Sequence, residues 1–112
     1  MNTKVLGTQG ESVAVKFLKD KKYKILKQNF ITKIGEIDII AQTKDIIVFV
    51  EVKARKSVRF GYPREAINLA KQNKIRTVAT QYLLANKLMN SKVRFDCIEV
   101  LCDQITHIEN CF

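Results

Sequence analysis

The strongest pattern in the chain runs over residues 37–55, "IDIIAQTKDIIVFVEVKAR", where two apolar runs are separated by Thr43, Lys44 and Asp45. Both runs are rich in β-branched or aromatic side chains, which predicts two strands joined by a tight turn. In the first, Ile37, Ile39 and Ala41 fall on one face, with Glu36, Asp38 and Ile40 on the other. In the second, Ile46, Val48, Val50 and Val52 line one face, and Ile47, Phe49, Glu51 and Lys53 the opposite one. A strand that is apolar on both faces over its first half belongs in the middle of a sheet. "YKILKQNFI" (residues 23–31) reads as a preceding strand, and "KVRFDCIEVL" and "QITHIEN" as two closing ones. Helical spacing governs two other stretches. In residues 8–22 the stripe is Val13, Ala14, Phe17 and Leu18, with Thr8 and Glu11 in capping-box spacing. In residues 64–87 it is Ala66, Ile67, Ala70, Ile75, Val78, Ala79, Tyr82 and Leu83. The order α-β-β-β-α-β-β predicts an α/β fold with a mixed sheet and helices packed on it.

Composition fits that picture and adds a partner class. The 112 residues are 46% hydrophobic and 28% charged, with one Pro and four Gly, so residues 1–112 are expected to form one globular domain without a linker. Twenty Lys and Arg against eleven Asp and Glu leave a net charge of +9. Such an excess suits a polyanionic partner, nucleic acid or an acidic membrane surface, or serves solubility alone. No apolar run approaches the roughly 20 residues of a membrane span, and the N-terminus lacks a signal peptide's apolar block, so a cytoplasmic protein is expected. Cys97, Cys102 and Cys111 are odd in number and lack C-x-x-C spacing, which predicts reduced thiols. His107 stands alone and argues against His-based metal sites or His-assisted nucleophiles.

The charged end of the hairpin is the chemical anomaly. If Lys44 and Asp45 form a two-residue turn, Thr43 faces Ile46, Asp38 lies opposite Glu51, and Glu36 opposite Lys53. Glu51 and Lys53 stand roughly 6.5–7 Å apart along their strand. Two carboxylates facing each other across a sheet cost about 0.2–1 kcal/mol, and more where water is excluded. Protonation of one acid, a neighbouring cation, or a shared divalent metal would each remove that cost. Hard oxygen ligands suit Mg²⁺; a salt bridge to Lys53 would be purely structural. The arrival of Asp38 from the neighbouring strand favours the metal.

The spacing D-x(12)-E-V-K, carried by Asp38, Glu51, Val52 and Lys53, resembles the active site of the PD-(D/E)xK, or restriction-endonuclease-like, nuclease superfamily. With "GES", "GEIDIIA", "VFVEVKAR", "FGYPREAI" and "VRFDCIEV" in order, nearly the whole chain resembles the YraN family of small bacterial endonuclease-like proteins. Ile37 stands where the superfamily's name-giving proline would be, a position that is not a ligand. The resemblance implies a restriction-endonuclease-like core and a metal-dependent nuclease acting on DNA, with a catalytically inactive nucleic-acid-binding module as the alternative. It implies Mg²⁺ or Mn²⁺ held by Asp38, Glu51 and the Val52 carbonyl. Lys53 would orient the attacking water or stabilise the transition state, and Glu11 would assist from the first helix, unless it only caps that helix.

Glu36 reads as a partner of Lys53 or a rim residue, Gly35 as a backbone requirement, and Asp96 as an edge-strand charge rather than a residue supporting the metal ligands. Five cations and no acid occupy residues 53–64, with Phe60 and Tyr62 interleaved. Arg55, Lys56, Arg59 and Arg64 are therefore candidate phosphate contacts, and the aromatics either stack on unpaired bases or pack the loop. Lys16, Lys19, Lys21, Lys22, Lys24 and Lys27 read as a solvated face adding salt-dependent affinity. No base-reading motif is evident, so branched or otherwise structured DNA is the expected substrate. A homodimer, as in junction-cleaving relatives, and a helicase or translocase that delivers the substrate are further expectations; a membrane partner is not.

Overall fold

The computed structural model describes residues 3–55, 67–102 and 104–112. The elements follow the expected order: α1 (Thr3–Asp20), β1 (Lys24–Ile31), β2 (Glu36–Thr43), β3 (Ile46–Arg55), α2 (Leu69–Ala85), β4 (Lys92–Leu101) and β5 (Gln104–Ile108). The five strands form one sheet in the order β1-β2-β3-β4-β5. Only β3 and β4 run parallel, joined by the crossover that carries α2; the other neighbours are antiparallel. The fold is α/β with a mixed sheet, consistent with a nuclease-like core.

Alternation along β3 sends its side chains into two cores. Val48 and Val50 pack with Ala14, Val15 and Leu18 of α1, whereas Ile47 and Phe49 pack with Ile75, Val78, Ala79, Tyr82 and Leu83 of α2. The two helices therefore cover opposite faces, and β3 is apolar at both because both are buried.

Helix boundaries depart from the sequence reading. Thr8 lies inside α1, which begins at Thr3, so the expected capping box with Glu11 does not form. The stripe on α1 also shifts: Val15 is buried, while Val13 is exposed. α2 starts later than expected because Asn68 caps it, its side chain accepting from the Lys71 amide at 2.8 Å. Ala70 is exposed at that end, and Ile67, just before the cap, packs against Cys97 and Cys111. Ala66 lies outside the described residues.

Two expectations for the last strands are corrected. Cys97 and Cys111 form a disulfide rather than two thiols. The Cys111 amide donates to the Phe95 carbonyl at 2.8 Å, so the chain end doubles back beside β4, a closeness that local cysteine spacing does not report. Asp96 is no edge charge, because β5 pairs beyond β4 and leaves Asp96 fully buried. It accepts from Arg94 Nε at 2.8 Å, His107 Nε2 at 2.7 Å and the Asn110 amide at 3.2 Å. These bonds hold its carboxyl below the ordinary range although burial pushes the other way. His107, the chain's one histidine, also meets Lys21, whose Nζ approaches its Nδ1 at 2.9 Å, and Arg94 donates to the Tyr23 hydroxyl at 2.7 Å. This network ties β4 and β5 to the turn after α1.

Candidate active site

The β2–β3 hairpin has the register that a two-residue turn requires, with Thr43 opposite Ile46 and Ile39 opposite Val50. Lys44 takes the left-handed conformation, φ 54°, that such turns demand. The ladder then stops. One step further it would bring Ile37 opposite Val52, but the Val52 amide donates instead to Asp38 Oδ2 at 2.8 Å. A side chain thus replaces a backbone acceptor, and the hairpin splays at this end. The strict alternation expected for β2 fails at the same place: Ile37 joins Ile40 in the α2 core, whereas Ile39 and Ala41 lie in the α1 core.

The splayed end opens into a cavity of about 770 Å³ lined by Glu11, Glu36, Asp38, Glu51, Val52 and Lys53, and from α2 by Asn68, Lys71 and Lys74. Every residue assigned a catalytic or metal role from the sequence, Glu11, Asp38, Glu51, Val52 and Lys53, therefore reaches one space. Glu36 lies on its exposed rim. Arg55 points elsewhere, its Nε 3.5 Å from the buried Glu99. Lys56, Arg59 and Arg64, with Phe60 and Tyr62, lie outside the described residues.

Glu11 reaches the cavity because of the glycine before it. A Cβ on Gly10 would stand 2.6 Å from the Ala54 Cβ, so only glycine lets α1 lie this close to β3. Glu11 comes within hydrogen-bonding reach of Asp38. Burial first, then the Asp38 charge and this bond, raise the Glu11 pKa. With its amide nitrogen turned inward, Asn29 donates to both Glu11 oxygens, at 3.2 and 3.1 Å. Asn29 can do so from a left-handed backbone, φ 52°, which asparagine tolerates better than most residues.

Glu51 is the buried acid, its side chain 5% exposed. Burial first, then the charge of Asp38, lift its pKa to about 7. Lys71 opposes that rise with its Nζ 3.0 Å from Glu51 Oε2. Lys53, half-buried, has its pKa lowered by burial and then by the neighbouring Lys71 ammonium. For Lys71 burial acts downward, but the Glu51 charge prevails and the pKa is raised. Asn29, Asn68 and Lys71 escaped the sequence reading. An asparagine amid β-branched residues and one preceding a helical run were the available signals for the first two. Nothing local marked Lys71.

The profile of the Uncharacterised protein family UPF0102 matches residues 10–100. The chain belongs to that family. It is the YraN family that the ordered motifs resemble. A UPF0102 protein of Clostridioides difficile is 51% identical over 114 residues, covering the whole of both chains. One from Acetivibrio thermocellus is 51% identical over 104 residues, 92% of this chain and 80% of its own. One from Fusobacterium nucleatum is 43% identical over 110 residues, 98% of this chain and 92% of its own. Among the described residues no helix is long and apolar enough to cross a membrane.

Asp38 and Glu51 supply hard oxygen donors of the kind that Mg²⁺ and Mn²⁺ take. Within a strand a residue's N–H and C=O point to the same side, so the Val52 carbonyl faces the splayed gap as its amide does. Among the described residues no three acidic, His or Cys side chains stand gathered as metal ligands. The donors fit a divalent cation in kind, while Glu51 is engaged by Lys71.

Proposed function

We propose that this protein is a Mg²⁺- or Mn²⁺-dependent nuclease that hydrolyses phosphodiester bonds in DNA, with branched or otherwise structured DNA as substrate. The convergence of Glu11, Asp38, Glu51 and Lys53 from three elements on the splayed end of one hairpin carries this reading. Asp38, Glu51 and the Val52 carbonyl would hold the cation, which supplies Lewis acidity toward the scissile phosphate and an acidified water. Lys53 would donate to the oxygen on which charge develops, from a half-buried position where a fixed positive charge acts strongly. Glu11, steadied by Asn29 and with its pKa raised, would hold a proton or orient a water beside Asp38. The exposed Lys16, Lys19, Lys21, Lys22, Lys24 and Lys27 would contribute sequence-neutral affinity, joined by Lys56, Arg59 and Arg64. Arg55 would reach phosphate only by leaving Glu99.

Working on DNA would place the protein in the cytoplasm, as a homodimer acting on paired strands and supplied by a helicase or translocase. In that reducing compartment Cys97 and Cys111 would be held mainly as thiols.

One observation favours the alternative of a catalytically inactive nucleic-acid-binding module. Lys71 already neutralises Glu51 without a metal. Labelled four-way junctions, flaps, single strands and duplexes incubated with Mg²⁺ or Mn²⁺ separate the two. Cutting that EDTA and Asp38→Ala both abolish supports the nuclease. Binding with no cutting of any substrate supports the module.

A further inference from the structure

Lys71 is anchored at the cavity wall by the first turn of α2, where its own amide is held by the Asn68 cap. Its ammonium lies 3.0 Å from Glu51 Oε2. The two partners are unequal: the Glu51 side chain is 5% exposed, that of Lys71 40%. A buried carboxylate stays ionised only beside a counter-ion. A half-exposed lysine on a flexible four-carbon stem can leave for water.

We propose that Lys71 is the built-in cation of this site: it holds Glu51 until a divalent ion takes that carboxylate, and then binds a phosphodiester oxygen, so that metal and polyanion bind cooperatively. The proposal rests on the phosphodiesterase reading above. Its first half follows from charge. Glu51 satisfies one strong cation on the oxygen that Lys71 holds, and an ion shared with Asp38 repels the ammonium. Its second half follows from what Lys71 meets on release. The Lys53 ammonium stands close enough to repel it, and Lys74 lines the same cavity one helical turn along. With Glu51 taken, these ammoniums lack the acid that compensated them. A phosphodiester, with one negative charge over two free oxygens, supplies what the cluster lacks. Metal binding thus prepares the anion site, and by linkage the anion strengthens metal binding by the same factor.

Mn²⁺ affinity provides the test and needs no turnover. Free Mn²⁺ is followed by electron paramagnetic resonance at pH 8.5, where protons compete least for the carboxylates. Each protein is titrated alone and with a nuclease-resistant phosphorothioate oligonucleotide, whose own Mn²⁺ binding is subtracted. For the unmodified protein the oligonucleotide should raise Mn²⁺ affinity by roughly fivefold or more. Lys71→Met should bind Mn²⁺ several-fold more tightly without the oligonucleotide and gain less than about twofold from it. Lys71→Arg should restore the unmodified behaviour, and Lys74→Met, which removes a charge from the same cavity but not from Glu51, should leave Mn²⁺ affinity in the absence of the oligonucleotide within about twofold. Circular dichroism establishes that each variant is folded, and if Lys71→Met is not, Lys71→Gln takes its place.

Mn²⁺ binding that is indifferent to residue 71, or equally altered by Lys74→Met, overturns this proposal and leaves the nuclease reading intact. An unmodified protein that binds no Mn²⁺ at all overturns both.

Discussion

At the scale of single residues the site is a problem in charge neutralisation. Four carboxyls and three ammoniums line a partly closed cavity, and the three inner acids have each found a partner. Glu11 accepts from Asn29, Asp38 from the Val52 amide, and Glu51 is paired with Lys71. The pairing is incomplete, since the Glu51 pKa still stands at about 7 against an ordinary 4.5. A carboxyl whose folded pKa is raised binds more protons in the folded than in the unfolded state between those two values. Its contribution to stability therefore falls as pH rises from about 4.5 to 7. Urea titrations at pH 5 and pH 8 should show the unmodified protein losing more stability over that interval than Glu51→Gln, by at most roughly 3 kcal/mol. Equal losses in the two proteins would remove Glu51 as the titrating group.

At the scale of elements, two close approaches build the site. α1 lies against β3 through Gly10, and the α2 cap aims Lys71 at Glu51. The first can be tested without any ligand. In Gly10→Ala the new methyl meets the Ala54 Cβ, which is rigidly attached to the strand, so the helix itself must move. Stability should fall by about 1–3 kcal/mol by denaturant titration, although alanine is the better helix former by about 1 kcal/mol. Adding Ala54→Gly should recover most of the loss. A stabilised Gly10→Ala protein would show that α1 does not need this contact.

For the molecule as a whole, the C-terminal segment closes the sheet beyond β4, with Cys97 beside Glu51 in the register. β5, the Asp96 network and the Cys97–Cys111 bond all fasten it to β4. The bond closes a sequence separation of 14 residues, for which chain entropy predicts a contribution of about 3 kcal/mol. Under oxidising conditions Cys111→Ala should unfold at lower denaturant concentration by roughly that amount. A reducing agent should bring the unmodified protein most of the way to the variant. If reduction leaves the midpoint of the unmodified protein unchanged, the bond does not form in solution.

The elements and most of their faces were legible in the chain alone, because strand and helix periodicities are local and the cores enforce them; Ile37 and Val13 are exceptions. β3 reads as a doubly buried strand from Ile46 onward, and it is one. The turn at Lys44 and Asp45 fixed the register as far as Ile39 opposite Val50, one residue short of Asp38 and Glu51, which was enough to make the acid cluster legible. The tertiary structure decided everything that required two distant segments to meet. It set Glu11 free of a capping role by starting α1 at Thr3, and it turned Asn29 onto that glutamate. It buried Asp96 by adding β5 outside β4, and drew Cys111 to Cys97 through the returning chain end. Above all it brought Lys71 to Glu51 across twenty residues of chain. Periodicity reports which side of an element is buried, but a contact between elements depends on how they pack, and no local pattern encodes that.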